Sequence, residues 1–350
     1  MVDIRDVLVI APNFKRRLSG VTSTIVQLVP VQHRLGHRVA TLGPGLPDGL
    51  PSISFASLWQ LWRKPRGASA RVWHARRNNE MLTGIILKYL LGMRLKLLFT
   101  SAAQRDHKPF TKWMIRRMDA VVATSAGSGA FLKVPYTVIR HGVDLAVFHP
   151  PETAEDTIEG AGLPGKYLIG CFGRIRHQKG TDLFVRAMVE LLPRHPDWTA
   201  VICGRVTVEH TAFGEELKRR VREAGLSHRI LFLGEVPDVK VWYRRLALYV
   251  APSRNEGFGL TPLEAMASRT AVVASTAGAY AEMILPGTTG QVVPAGDYEA
   301  LEAALVPYLA DPAMTARTAE AALTHVRATF ALENEALALK KIYDRLLTDE

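Results

Sequence analysis

The chain alternates short apolar runs with longer segments of helical spacing. Val7–Ala11 reads as a strand, a polar loop with Ser19 and Gly20 follows, and helical spacing runs from Val21 to Leu35. Arg38–Leu42, Leu95–Thr100 and Ala120–Thr124 read as further strands, with helical patterns between them. The second half repeats the scheme. Tyr167–Phe172, Thr199–Cys203, Ile230–Leu233, Leu248–Ala251 and Ala271–Ala274 are strand-like, and Asp182–Leu192 is helical. Strands alternating with helices imply parallel sheets built from βαβ units. The stretch Pro150–Gly165 is polar and rich in Pro, Gly and Glu, and reads as a linker. The expected organisation is an α/β chain with Rossmann-like domains at 1–150 and 151–330. The amphipathic segment 331–350 is expected to form a C-terminal helix that packs back on the first domain. Two doubly wound domains would face one another across a cleft, with ligands outside the carboxyl ends of the strands.

Composition narrows the class. With 350 residues, 48% hydrophobic and 22% charged, the chain is globular and long enough for two cores. Its two cysteines, Cys171 and Cys203, sit inside apolar runs, which argues against a disulfide framework and for a reducing compartment. The start, Met1–Asp6, lacks a signal core, and the apolar stretch Ile85–Phe99 is interrupted by Lys88, Arg94 and Lys96. The reading is a cytosolic protein without a transmembrane helix.

Charge is uneven. Residues 1–150 hold 22 Lys/Arg and 7 Asp/Glu, a balance of +15; residues 151–350 hold 22 and 26, a balance of −4. Such asymmetry points one domain at an anionic surface. Leu58–Arg66 and Lys108–Arg117 mix cations with tryptophans, and Lys112 and Arg116 lie one helical turn apart beside Trp113. That pattern suits an interfacial helix on an anionic leaflet. The bland alternative is tryptophan in the core and cations in water. No nucleic-acid recognition motif is present.

The densest chemistry lies in Pro252–Ala267. A strand ends at Ala251, a turn carries Glu256 and Gly259, and a helix begins near Thr261–Pro262, where proline suits the first turn. Free N–H groups at a helix start favour an anion such as a diphosphate. Glu256 before the helix and Glu264 one turn inside it can face one cleft, where carboxylates bind sugar hydroxyls. A second block, Ile169–Gly180, places Arg174 and Lys179 on a loop after a strand. Two cations there can neutralise a diphosphate and stabilise charge on a leaving nucleotide. The plainer alternatives are a solvated helix face and ordinary surface cations.

The Glu–seven residues–Glu block, with Gly173-Arg174 and Lys179-Gly180, closely resembles the signature of the family 4 retaining glycosyltransferases. That resemblance implies the GT-B fold. It implies that Glu256 contacts the donor sugar and Glu264 the ribose hydroxyls. The backbone of Gly259, Leu260 and Thr261 would meet sugar and phosphates, and Arg174 and Lys179 the diphosphate. Val138–Pro150 resembles the family's hinge segment, with His141 where asparagine is usual. Gly20 matches the glycine that lets backbone approach the donor phosphate, and Lys15, Arg16 and Arg17 beside it suit an anionic acceptor. Gly204, Arg205 and Gly234–Pro237 fall where the family lines its base pocket. The wording of Ala11–Thr24, His74–Asn78 and Phe99–Arg105 looks like the lipopolysaccharide core mannosyltransferases of Gram-negative bacteria. This implies GDP-mannose as donor, a Kdo-containing anionic glycolipid as acceptor, and a peripheral place on the cytoplasmic face of the inner membrane.

The sequence departs from the family near Ala102, where many relatives carry histidine. His107 and His74 are the nearby candidates, and His107 is taken with Arg174, Lys179 and Glu256 as the catalytic set. The family reaction is thought to proceed by front-face departure, which asks for orientation and phosphate stabilisation more than for a strong base. There is no Asp-x-Asp motif or metal-spaced His/Cys cluster, so no obligatory cofactor is expected, while Mg²⁺ arriving with the nucleotide stays open. Two other readings remain: a sibling enzyme using another donor such as UDP-glucose, and a non-catalytic nucleotide-sugar binding protein.

Overall fold

The computed structural model describes residues 2–16 and 20–348. Arg17 and Ser19, named above beside the first βα turn, lie outside the described residues. The chain divides into two compact units, residues 1–142 with 332–350, and residues 143–331.

Among the described residues, the first unit holds a seven-stranded parallel sheet in the order β3-β2-β1-β4-β5-β6-β7. The strands are β1 (Val9–Pro12), β2 (Val39–Leu42), β3 (Ser52–Ile53), β4 (Arg71–Ala75), β5 (Leu95–Ser101), β6 (Ala120–Ala123) and β7 (Thr137–Val138). The second unit holds a six-stranded sheet in the order β10-β9-β8-β11-β12-β13. Its strands are β8 (Tyr167–Phe172), β9 (Trp198–Cys203), β10 (Ile230–Gly234), β11 (Leu248–Ala251), β12 (Ala271–Ser275) and β13 (Gly290–Val293). Helices cover both faces of each sheet, and each sheet separates two apolar clusters. In each sheet the order reverses once, between β1 and β4 and between β8 and β11. Doubly wound sheets bind ligands at the carboxyl ends beside such a reversal, where the flanking loops diverge and leave room.

Strand β4 is central and fully buried although it carries Arg71 and His74. Its polar groups are satisfied. Arg71 donates to the carbonyls of Arg63 (2.7 Å), Ile4 (3.1 Å) and Val7 (3.2 Å). His74 lies 2.7 Å from Thr100 Oγ1 and 2.8 Å from Tyr343 Oη. Buried polar groups persist where they are paired in this way.

The last helix, Leu332–Thr348, belongs to the first unit. Leu332, Ala336, Leu339, Tyr343 and Leu346 form its buried stripe at helical spacing and pack with Ile25, Leu28 and Val29 of helix Gly20–Arg34. Glu335 accepts from the Gly142 N–H at 2.8 Å and sits 2.8 Å from His141 Nδ1. One residue further on, Val143 belongs to the second unit: its N–H donates to Phe330 O at 2.8 Å, and Val143 and Phe148 are buried in that core. The division therefore falls at Gly142–Val143 rather than at 150/151. Residues of the expected linker are packed into the second unit, where Arg244 Nε donates to Asp156 Oδ1 at 2.6 Å.

Candidate functional site

The loops after β8 and β11 meet because these strands are neighbours at the order reversal of the second unit. The β8 loop carries Arg174 and Lys179, and the β11 loop carries Glu256 and runs into helix Thr261–Ala267 with Glu264. Lys179 Nζ forms an ion pair with Glu256 Oε1, both side chains being mostly buried. The same carboxylate oxygen lies 3.4 Å from both Ser253 Oγ and Tyr280 Oη. Arg174 is exposed and makes no hydrogen bond or ion pair with the described residues.

Two glycines fix this arrangement. Gly180 has φ +68°, and a Cβ there would overlap the carbonyl of Pro252, so the two loops touch backbone to backbone. Gly259 has φ +86°, and a Cβ there would overlap the Tyr280 ring. A further brace holds the β11 loop. Arg254 grips Asp182 in a bidentate pair (2.7 and 2.8 Å), donates to His177 O at 2.7 Å, and its N–H donates to Gln178 O at 2.8 Å. Such a fork holds a loop in one geometry.

Glu264 accepts from the Tyr243 hydroxyl at 2.9 Å. Burial pushes its carboxyl up to about 7, against the lowering pull of that hydrogen bond and of the Lys179 charge. Burial, with the Glu264 charge beside it, also drives the Tyr243 phenol well above its ordinary range, so it stays a donor. Helix Thr261–Ala267 is only seven residues, with Pro262 in its first turn. The positive charge at this site therefore comes mainly from Lys179 and Arg174, with the unpaired N–H groups of a helix start adding to it. A cavity of ≈ 380 Å³ in this unit, lined by Tyr167, Leu246, Arg269 and Ala319 among others, shares no residue with this cluster.

The remaining candidates lie in the first unit. Gly20 opens helix Gly20–Arg34, is exposed, and a Cβ there would meet none of the described residues within 4 Å. His107 sits on the loop after β5, its Nε2 3.5 Å from Ser101 Oγ, and burial lowers its pKa. His74 is not free to meet a ligand. It is fully buried between Thr100 and Tyr343, and burial holds its pKa far down. Cys171 and Cys203 are free and buried, their thiols pushed up to about 12 by burial.

Several site residues escape the sequence reading. Tyr243, Tyr280, Asp182 and Arg254 brace the carboxylates. In the first unit, the reversal between β1 and β4 carries a polar network. Arg77 donates to Asn13 Oδ1 and Thr22 Oγ1, both at 2.8 Å, and pairs with the buried Glu80 at 2.7 Å. Asp182, Arg254, Asn13 and Arg77 carry a positional signal, since they follow the strands that flank a reversal, whereas Tyr243 follows edge strand β10 and Tyr280 follows β12.

Two doubly wound parallel sheets, one with paired cations and carboxylates at its reversal point, define a GT-B glycosyltransferase. A glycosyltransferase from Rickettsia africae ESF-5 shares this fold with a TM-score of 0.84 at 20% identity, over 99% of this chain and 100% of that one. The chain belongs to the glycosyl transferases group 1 family, whose pattern matches residues 154–325. It is 70% identical over 349 residues to the lipopolysaccharide core biosynthesis mannosyltransferase LpcC of Rhizobium leguminosarum bv. viciae, covering 100% of this chain and 99% of that protein. It is 53% identical over 350 residues to the lipopolysaccharide core biosynthesis mannosyltransferase LpsB of Rhizobium meliloti (strain 1021), covering 99% of this chain and 100% of that protein.

Proposed function

We propose that this chain is a retaining mannosyltransferase that moves mannose from GDP-mannose to the Kdo region of the lipopolysaccharide inner core. The full-length likeness to two lipopolysaccharide core mannosyltransferases supports the sugar and the pathway. The observation that carries the donor site is the Lys179–Glu256 pair at the β8/β11 reversal, with unpartnered Arg174 beside it. On arrival of the donor, Lys179 turns to the diphosphate and releases Glu256 to the mannose hydroxyls. Arg174 and Lys179 then stabilise charge as it grows on the departing GDP. Glu264 accepts from the ribose hydroxyls. The backbone of Gly259, Leu260 and Thr261 meets sugar and phosphate, and the open backbone at Gly20 approaches the phosphate. His107, its pKa lowered by burial, is the histidine we assign to the reacting sugar. The positive charge that the leaving phosphate needs is supplied by the two side chains, so no metal is assigned a required part. The acceptor is an anionic glycolipid, met by the basic first unit at the cytoplasmic face of the inner membrane.

The deciding experiment is a donor panel. Purified protein is offered GDP-mannose and UDP-glucose with delipidated core oligosaccharide as acceptor, and the anomeric configuration of the product is read by NMR. Transfer of α-configured mannose from GDP-mannose alone supports the proposal. Transfer from UDP-glucose instead, or no turnover with either, overturns it.

A further inference from the structure

Large apolar side chains are exposed along one stretch of the first unit. Phe55, Trp59, Trp62, Leu82, Ile86, Tyr89, Leu90, Leu91, Phe110 and Trp113 are all open to solvent, Leu90 at 77%. Contacts join most of them into a belt. Trp62 Nε1 donates to Leu91 O at 2.6 Å, and Tyr89 Oη donates to Arg117 O at 3.3 Å. The Arg117 guanidinium lies 3.8 Å from the centre of the Trp113 ring, which stacks on Phe110 at 5.6 Å. Arg63 lies over Trp59, and Lys88 over Tyr89. The belt thus draws on the 3₁₀ helix Phe55–Trp62, the turn at the end of Ile86–Leu90, and helix Pro109–Ile115. Exposed aromatic surface of this extent is unusual on a protein that meets only water.

Its charge identifies what it meets. Residues 55–119 hold 14 Lys/Arg and three Asp/Glu, a balance of +11, although Arg71 is buried in β4, Arg77 pairs with Glu80 and Lys88 pairs with Asp119. Arg63, Lys64, Arg66, Arg94, Lys108 and Arg116 are exposed beside the aromatic groups. A protein partner would pair such charges with discrete carboxylates. A bilayer offers anionic phosphates at one depth and acyl chains just beneath, which is how tryptophan, tyrosine and basic residues partition at an interface. No helix among the described residues is long and apolar enough to cross a membrane.

We propose that this aromatic belt is the membrane-docking face of the protein. Leu90 and Leu91 enter the acyl boundary, Trp59, Trp62, Tyr89, Phe110 and Trp113 lie at the headgroup level, and the surrounding cations bind lipid phosphates. The assignment rests on the membrane-peripheral reading above and adds the surface and the depth of contact.

The test is sedimentation of the full chain with vesicles of phosphatidylcholine alone or with 30% phosphatidylglycerol (about the anionic content chosen to give a strong surface potential). A triple variant Trp59→Ser, Leu90→Ser, Phe110→Ser removes apolar groups, and Lys64→Gln, Arg94→Gln, Arg116→Gln removes charge. The wild type is expected to bind the anionic vesicles. The charge variant binds about a hundredfold more weakly, at roughly fivefold per basic residue. The apolar variant binds at least about tenfold more weakly, and its binding no longer resists high salt. Both variants keep their thermal midpoint, and the apolar variant keeps its turnover of GDP-mannose on delipidated acceptor. If the folded apolar variant binds as the wild type does, contact runs through other cations; the belt assignment fails and the peripheral reading survives. If the wild type binds no anionic vesicle while turnover persists, both membrane statements fail and the transferase reading stands. If the belt variant instead abolishes self-association in sedimentation velocity, the face covers a second copy and the assignment is overturned.

Discussion

The hydroxyl of Tyr243 donates a 2.9 Å hydrogen bond to Oε2 of Glu264, and this contact opposes the upward pull of burial on that carboxyl. Burial raises the Glu264 pKa from its ordinary 4.5 to about 7, and the Tyr243 bond limits the rise. Ribose hydroxyls donate more strongly to a carboxylate than to a carboxylic acid. Donor affinity is therefore expected to fall as pH drops through 7, with a Kd about tenfold weaker at pH 6 than at pH 8. Tyr243→Phe should move that curve to higher pH. Calorimetric titration of GDP-mannose across pH 6–8 checks both, and a flat curve would refute the role of Glu264.

The same carboxyl bears on stability with a definite sign. Between about 4.5 and 7 the folded chain holds a proton at Glu264 that the unfolded chain has released. The contribution is fully present below the unfolded value and is lost as pH rises through 7. Glu264→Gln should remove this part of the decline, seen as a flatter plot of Tm against pH.

Lys179 and Arg174 differ in what they touch before the donor arrives. Lys179 is paired with Glu256, whereas Arg174 is unengaged among the described residues. Lys179→Ala and Arg174→Ala should each lower kcat by about 10²–10³. Only Lys179→Ala should move stability, by about 1 kcal/mol or less, since the pair is not fully dry. Steady-state kinetics beside thermal unfolding separates the two effects. Arg174→Ala with unchanged kcat would remove that residue from the reaction.

Gly180 and Gly20 make a second contrast. Gly180→Ala forces a side chain into φ +68° and onto the Pro252 carbonyl, at a cost of about 1–3 kcal/mol in urea unfolding, and it spreads the two donor loops. Gly20→Ala meets none of the described residues within 4 Å and should change stability by less than about 1 kcal/mol. A loss of donor affinity in Gly20→Ala at constant stability would mark close approach of the donor to that backbone.

Chelation tests the source of charge on the leaving phosphate. With Arg174 and Lys179 in that role, transfer should persist in excess EDTA. Loss of turnover that returns on adding Mg²⁺ would show that the two cations are insufficient.

The elements that place the donor loops are legible in the sequence because β8 and β11 are continuous apolar runs, and β8 follows its run residue for residue. Strand β4 is less legible. Arg71 and His74 interrupt its apolar pattern, and their burial depends on carbonyls and hydroxyls brought from Ile4, Val7, Thr100 and Tyr343. The same reason hides Tyr243, Tyr280 and Asp182. Each lies outside the glutamate block and reaches it only through the sheet order. The linker misleads for another reason. Composition marks Pro150–Gly165 as loop, yet burial of Val143 and Phe148 moves the division forward. The tryptophans show the limit of residue type alone: Trp73 and Trp198 are core, while Trp59, Trp62 and Trp113 are exposed.

Helix Leu332–Thr348 completes the first unit, and this has a consequence for the order of synthesis. Tyr343 is the hydroxyl that meets both His74 and Gln32. On the ribosome, residues 143–331 must be made before that partner exists, an interval on the order of ten to forty seconds at about 5–20 residues per second. For that time the second unit has all of its own chain, while the earlier-made sheet waits with a polar strand at its centre. A chain stopped before residue 332 would release the later half folded and the earlier half unfinished.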